Sequence, residues 1–367
     1  MTAIDQRLEA SPPAPVREAP SASARALATT PDDMAMLRAA VDLTRDLATA
    51  RPGIYWPDFL ASALIGYAGM AIAILAQQVW IVLLAGAMSA LALYRATSFI
   101  HELTHIRAGA LPGFRFIWNL LVGIPLLFPS FLYEGVHTQH HAKTRYGTID
   151  DPEYLPLALM KPWSLPLFIL VAALAPVAFL LRFGVLAPLS VVIPPLRRLI
   201  VARYSALSIN PDYRRRPPEG AFARMWAWQE AGTSLWSIML MASVAFVGWR
   251  PLLTYLAILS VAMVANQLRT LVAHLWENEG DTMTVTGQFL DSVNVPPPAP
   301  LAALWAPVGL RYHALHHLLP SVPYHSLGEA HRRIAGHLGS GSTYEKSNYP
   351  GMIPLVVRIA RSTMTVR

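Results

Sequence analysis

The sequence contains no cysteine. That absence excludes disulfides, thiolate zinc sites, iron–sulfur clusters and cysteine nucleophiles together. Charge is also scarce, at 14% of residues against 54% hydrophobic. Soluble globular domains carry about 25% charged residues, so lipid is expected to form part of the solvent. Residues 1–30 lack the continuous apolar run of a signal peptide and are rich in Ala, Pro and Ser. They are expected to be a disordered tail. No nucleic-acid recognition motif accompanies the net charge of +7, so nucleic acid is not an expected partner.

What remains is apolar sequence, interrupted by basic loops and by histidine. Residues 32–50 predict a short helix with Asp32 or Asp33 as its N-cap. Phe59 to Ile100 carries no acid and only Arg95 as a base, enough for two spanning helices with Gln77 and Gln78 near the turn. Residues 116–133 are apolar but contain Pro125 and Pro129, which favours an interfacial or re-entrant segment. Residues 163–200 could form a proline-rich hairpin. Residues 231–248 and 251–271 form a clearer pair around Trp249, Arg250 and Pro251. The fold expected is an all-α integral membrane protein with four to six transmembrane helices in hairpin pairs. A histidine-rich cap would face the cytoplasm, the side on which basic loops such as Arg197–Arg203 and Arg214–Arg216 are retained. The expected divisions are a tail and short helix over 1–50, a membrane domain over 51–335 and a C-terminal cytoplasmic segment over 336–367.

Eight of the twelve histidines fall into three groups. His101 and His105 stand at i and i+4 in HELTH. His137, His140 and His141 stand at i, i+3 and i+4 in HTQHH, and His313, His316 and His317 repeat that spacing in HALHH. Residues three and four apart share a helix face, so each group can aim its imidazoles at one point. One tetrahedral zinc takes four ligands. Eight convergent histidines are too many for one metal and about right for two. His274, just past the last apolar span, is a natural ninth ligand. His325, His331 and His337 lack the grouping and are expected at the surface or behind the ligands.

The boxes HELTH, HTQHH and HALHH, in this order around paired spans, resemble the membrane fatty acid desaturase and hydroxylase superfamily. The stretch HALHHLLPSVPYHSL over 313–327 is especially similar to its third box, and the resemblance covers roughly residues 55–335. It implies a helical membrane fold, a cytoplasmic di-iron site and dependence on O2 and a reductant. The matching ligand positions are His101, His105, His137, His140, His141, His313, His316 and His317, with His274 similar in position to an additional histidine in some members. HELTH is closer to sphingolipid-type desaturase boxes than to acyl-lipid boxes, which often have Asp at the second position.

The leading expectation is an oxygen-dependent fatty-acyl desaturase with two iron ions, in a bacterial inner (plasma) membrane. Its substrate would keep its head in the interface and its tail in a protein tunnel. No cytochrome b5 motif is visible, so a separate donor is expected: ferredoxin or cytochrome b5 with an NAD(P)H reductase. The basic stretch 197–216 could dock it by charge but more simply serves topology and attraction to anionic lipid. Loss of a second hydrogen gives an alkene and oxygen rebound gives an alcohol. A hydroxylase or ketolase of sphingolipid, carotenoid or another isoprenoid is therefore the alternative. HELTH also fits the HExxH zinc protease motif, a reading that leaves six grouped histidines unexplained. A histidine-rich metal transporter would require ionisable residues along its spans. Glu102, Glu134, Asp150, Asp151 and Glu277 are candidates to orient the imidazoles, and Asn266 to support a metal-bound water.

Overall fold

A computed structural model describes residues 27–107, 109–299 and 301–365; the expected tail, residues 1–26, lies outside them. Regular structure among the described residues is helical, with only isolated β-bridges besides. Five helices are long and apolar enough to cross a membrane: α1 (Pro52–Leu75), α2 (Val79–His105), α3 (Ser164–Val192), α4 (Gly220–Val247) and α5 (Trp249–Leu271). Leu64, Leu83, Val191 and Phe246 lie exposed on their outer faces, as lipid-facing side chains do. The protein is an integral membrane protein.

The first predicted pair forms α1 and α2, joined by Ala76, Gln77 and Gln78. Small residues bring these helices together, as they do where lipid supplies no hydrophobic drive between spans. Ser89 Oγ donates to Gly66 O at 2.7 Å. A Cβ on Gly69 would stand 2.9 Å from the Ala85 carbonyl oxygen. Towards the histidines, Asp58 of α1 pairs in bidentate fashion with Arg95 of α2, with oxygens at 2.5 and 2.7 Å. Helix α2 continues past Ile100 to His105, so the whole HELTH box is helical.

Phe114–Gly123 is too short to cross, and the chain then turns back through Pro125 and Pro129. This fits the re-entrant expectation. In place of a hairpin over 163–200, the structure has one 29-residue helix, α3, and a separate helix Pro194–Arg203. Arg182 and Arg197 share Glu230 of α4, each at 2.6 Å. These ion pairs bend the segment back instead of letting it run on as two equal spans. The return is completed where Leu207 N donates to Leu132 O at 2.8 Å and Arg215 to Glu134 O at 2.6 Å. Gly248, at φ 74°, makes the sharp turn between α4 and α5.

The remaining chain folds into a cap over the C-terminal ends of α2 and α5. Asp33 caps helix Met34–Asp42, accepting from Ala35 N and Met36 N. The preceding residues are tied to helix Val285–Asp291, where Thr286 N donates to Asp32 Oδ1 and Asp33 N to Thr286 Oγ1. Buried Asn294 clamps the third box: its backbone bonds to Ser347 and Tyr349, and its Oδ1 accepts from Leu315 N at 3.0 Å. Residue 335 lies inside helix Leu327–Leu338, and Met352–Thr365 packs back on the cap, with Ser362 Oγ donating to Ala158 O.

The α1–α2 contact gives a test of this packing. Gly69→Ala should destabilise the protein by about 1–3 kcal/mol, because a backbone carbonyl blocks the added methyl group. Gly66→Ala should cost at least as much, since its methyl group would stand 2.5 Å from the buried Leu93 side chain and 3.2 Å from the Leu93 backbone nitrogen. Thermal melting of both variants in detergent would check this; an unchanged melting temperature in either would contradict it.

Candidate dinuclear metal centre

The three boxes and His274 converge in the cap and sort into two groups. One holds His101, His105, His137, His141 and His316; the other holds His140, His274, His313 and His317. Within each group, one ring nitrogen of every member lies within 4.8 Å of those of the others. The HxxHH spacing explains the division. At 3.6 residues per turn, i+4 falls about 40° to one side of i and i+3 about 60° to the other. His137 and His141 therefore serve one group and His140 the second. The third box mirrors this, with His313 and His317 in the second group and His316 in the first.

The imidazoles meet through Nε2. His141 and His137 approach to 3.0 Å, His316 and His141 to 3.2 Å, His313 and His274 to 3.0 Å, and His317 and His313 to 3.1 Å. Nitrogens bound about 2.1 Å from one ion at right angles would be about 3.0 Å apart. Both nitrogens of His101 and Nε2 of His105 are buried without a hydrogen-bond partner. Such orphaned groups are costly unless something else satisfies them. The residues present fit two metal ions.

Behind the rings, the outward nitrogens find oxygen. His140 Nδ1 donates to Asp151 at 2.9 Å, and Asp151 is itself fixed by Gly147 N and Glu153 N, both at 2.8 Å. His137 Nδ1 meets Tyr133 Oη at 2.7 Å and Glu153 at 3.1 Å. His274 Nδ1 donates to Tyr146 Oη at 2.8 Å, and that hydroxyl donates onward to Asp291 at 2.9 Å. A proton held on Nδ1 leaves the Nε2 lone pair facing inward.

Burial, followed by the neighbouring imidazoles, pushes His137, His141, His313, His316 and His317 well below the ordinary histidine value. His274 moves the same way, through burial and the charges of His140 and Arg269. Burial also opposes charge on His140, but the carboxylates of Asp151, Glu153 and Asp291 outweigh it and raise its value. Burial raises Glu153 to about 7 and Asp291 to about 6. At neutral pH most of the cap histidines are therefore neutral, the form that ligates metal.

Of the predicted orienting acids, Asp151 stands behind a ligand and the others do not. Glu134 binds Arg115 and Ser130, Glu277 pairs with Arg358 at 2.9 Å, and Asp150 is exposed. Glu102 accepts from Tyr55 Oη and from Tyr324 N at 3.2 Å, with its other oxygen 3.7 Å from His101 Nδ1. It therefore does not stand as a base across a two-histidine zinc site, and His101 and His105 join a larger group. Glu153, Asp291, Tyr133 and Tyr146 were missed by sequence reasoning. Glu153 lies two residues beyond Asp151 in the same acidic stretch; Asp291 carries no local signal. His325 accepts from Arg51 N and His331 meets Tyr344 Oη, and both lie outside the two groups.

A cavity of ≈ 600 Å³ reaches the centre, with His101, Tyr133 and Glu153 in its wall. Most of its lining is apolar, including Leu167, Val171, Ala175 and Phe179 of α3. Asn266 and Arg269 of α5 also line it.

Fold and site together define a helical membrane oxidoreductase whose histidine-built centre opens on a lipid-sized cavity. The fatty acid desaturase family model matches residues 77–347, and the chain belongs to that family. It is 50% identical over 328 residues, 89% of this chain and 93% of the relative, to a ceramide hydroxylase of Caulobacter vibrioides.

The histidine shifts set the pH dependence of the metal-free protein. Six cap histidines have folded values below 6.5. The unfolded chain takes up their protons first as pH falls, so their contribution to stability is lost on acidification. Raised His140, Glu153 and Asp291 act in the opposite sense but are outnumbered. Melting of chelator-treated protein should therefore move to lower temperature between pH 7.5 and 5.5; a rise would contradict the balance.

Proposed function

We propose that the protein is a ceramide hydroxylase: it inserts one oxygen atom from O2 into a C–H bond of a ceramide or closely similar sphingolipid. Two iron ions would be held by the nine histidines, His101, His105, His137, His141 and His316 around one and His140, His274, His313 and His317 around the other. The similarity to a named ceramide hydroxylase along 93% of that protein carries this reading. Desaturation, the leading expectation from the sequence, has less support, because the same relative favours the hydroxylase alternative.

The reaction balances as R–H + O2 + 2 e⁻ + 2 H⁺ → R–OH + H2O. An unactivated C–H bond is too strong for acid–base chemistry, and iron with O2 supplies the oxidant. The protein's part is placement. The apolar walls of the cavity exclude water and align the chain beside His101, while Asp151, Glu153 and Tyr146 hold the imidazoles in the ligating tautomer. The electrons come from a separate one-electron carrier, such as a ferredoxin or cytochrome b5 with its reductase. The cap would face the cytoplasm of a bacterial inner membrane, because exposed Arg198, Arg203, Arg214 and Arg216 lie between α3 and α4, where the chain returns to the cap.

Mass spectrometry of lipids from cells expressing the protein, with a competent donor, tests the reaction. A ceramide heavier by one oxygen is expected; an added double bond in the acyl profile would restore desaturation. His140→Ala and His316→Ala should each abolish turnover and lower bound iron while leaving membrane insertion intact. Full activity in either would overturn the ligand assignment. Asp151→Asn should weaken metal affinity about 10–100-fold, read as iron retained during titration with a chelator.

A further inference from the structure

One cation in the cavity has no carboxylate partner. Arg269 lies near the inner end of α5, five residues before His274. Its Nη2 donates to Asn266 Oδ1 at 3.2 Å and Tyr94 lies beside it, but its Nε is buried with no acceptor. Among the described residues it forms no ion pair, whereas Arg95, Arg182 and Arg197 in or beside the spans each pair with a carboxylate. A guanidinium is expensive to keep within a membrane span, and such residues mark functional sites with partners of their own.

Its surroundings indicate the missing partner. The cavity has two characters. Along α3, Leu167, Val171, Ala175 and Phe179 recur every fourth residue, an apolar stripe about 18 Å long. The polar lining gathers near the histidines, where Arg269 and Asn266 share the cavity with His101, Tyr133 and Glu153. Arg269 is near enough to act electrostatically on Tyr133 and Glu153. The hydroxyls of Thr97 and Ser98, also in the lining, are spent on Tyr94 O. The unpaired Nε–H of Arg269 is a donor at this end, and it matches an uncharged oxygen acceptor without requiring a second buried charge.

Resting on the ceramide reading, we propose that Arg269, positioned by Asn266, anchors a carbonyl or hydroxyl oxygen of the substrate's amide head beside the metal centre. The carbon hydroxylated then lies within a few bonds of that head, and the long chain runs away along α3. A head group held out in the interface, as expected from the sequence, would instead put a mid-chain carbon at the centre.

The experiment uses iron-loaded protein in lipid vesicles with its electron donor, C18 ceramide as substrate, and tandem mass spectrometry to locate the new hydroxyl. Wild type should place it within a few carbons of the amide. Arg269→Met should raise KM at least tenfold and spread or shift the hydroxyl position with bound iron unchanged; Arg269→Lys should recover part of the loss. Should Arg269→Met fail to insert, an analogue lacking the amide carbonyl and 3-hydroxyl oxygens tests the same contact in wild type, and its KM should rise in the same way. A single wild-type product hydroxylated far down the chain, or an Arg269→Met enzyme with unaltered KM and position, would overturn the anchor alone. Wild type that leaves ceramide untouched and desaturates an acyl chain would overturn the ceramide reading and the anchor with it.

Discussion

The structure depends on burying nine imidazoles at two adjacent points with most of them uncharged. Protonated rings at Nε2 separations of 3.0–3.2 Å would repel strongly in a buried site. Burial resolves this by favouring the neutral form, which is also the form with a lone pair to offer. Neutral rings can still turn the wrong nitrogen inward. The hydrogen bonds to Asp151, Glu153 and Tyr146 fix that choice for one ring each, and the packed helices carrying the boxes fix it for the others.

Much of the fold serves that arrangement. Helix α2 carries HELTH to its last turn, so its two histidines inherit the rigidity of the Asp58–Arg95 tie and the close α1–α2 contact. The second box stands on one short helical turn, held from behind by the loop from Tyr146 to Glu153. The third box is fixed by Asn294, which joins three separate stretches of backbone. The cap thus closes the centre on one side, and a largely apolar cavity reaches it on the other.

Legibility followed the range of the interactions involved. Helices α1, α2, α4 and α5 were visible because twenty apolar residues in a row have few other fates. The histidine boxes were visible because their partners lie three and four residues away. The hairpin expected over 163–200 is instead one long helix with a shorter return, decided by Arg182 and Arg197 meeting on Glu230. Asp151 could be proposed from its nearness to the second box. Asp291, reached only through Tyr146, could not, since its neighbours in sequence say nothing about His274.

The sequence by itself determined the class of chemistry. The absence of cysteine, the shortage of charge and the HxxHH spacing are local properties, and they leave a histidine-bound metal centre in a membrane as the consistent reading. Tertiary structure alone decided which boxes share a group, that Asp291 stands behind His274 through Tyr146, and which cation in the cavity is left without a carboxylate. Those outcomes depend largely on contacts between residues more than a hundred positions apart, such as His141 with His316 and Tyr146 with Asp291, and only packing brings such residues together.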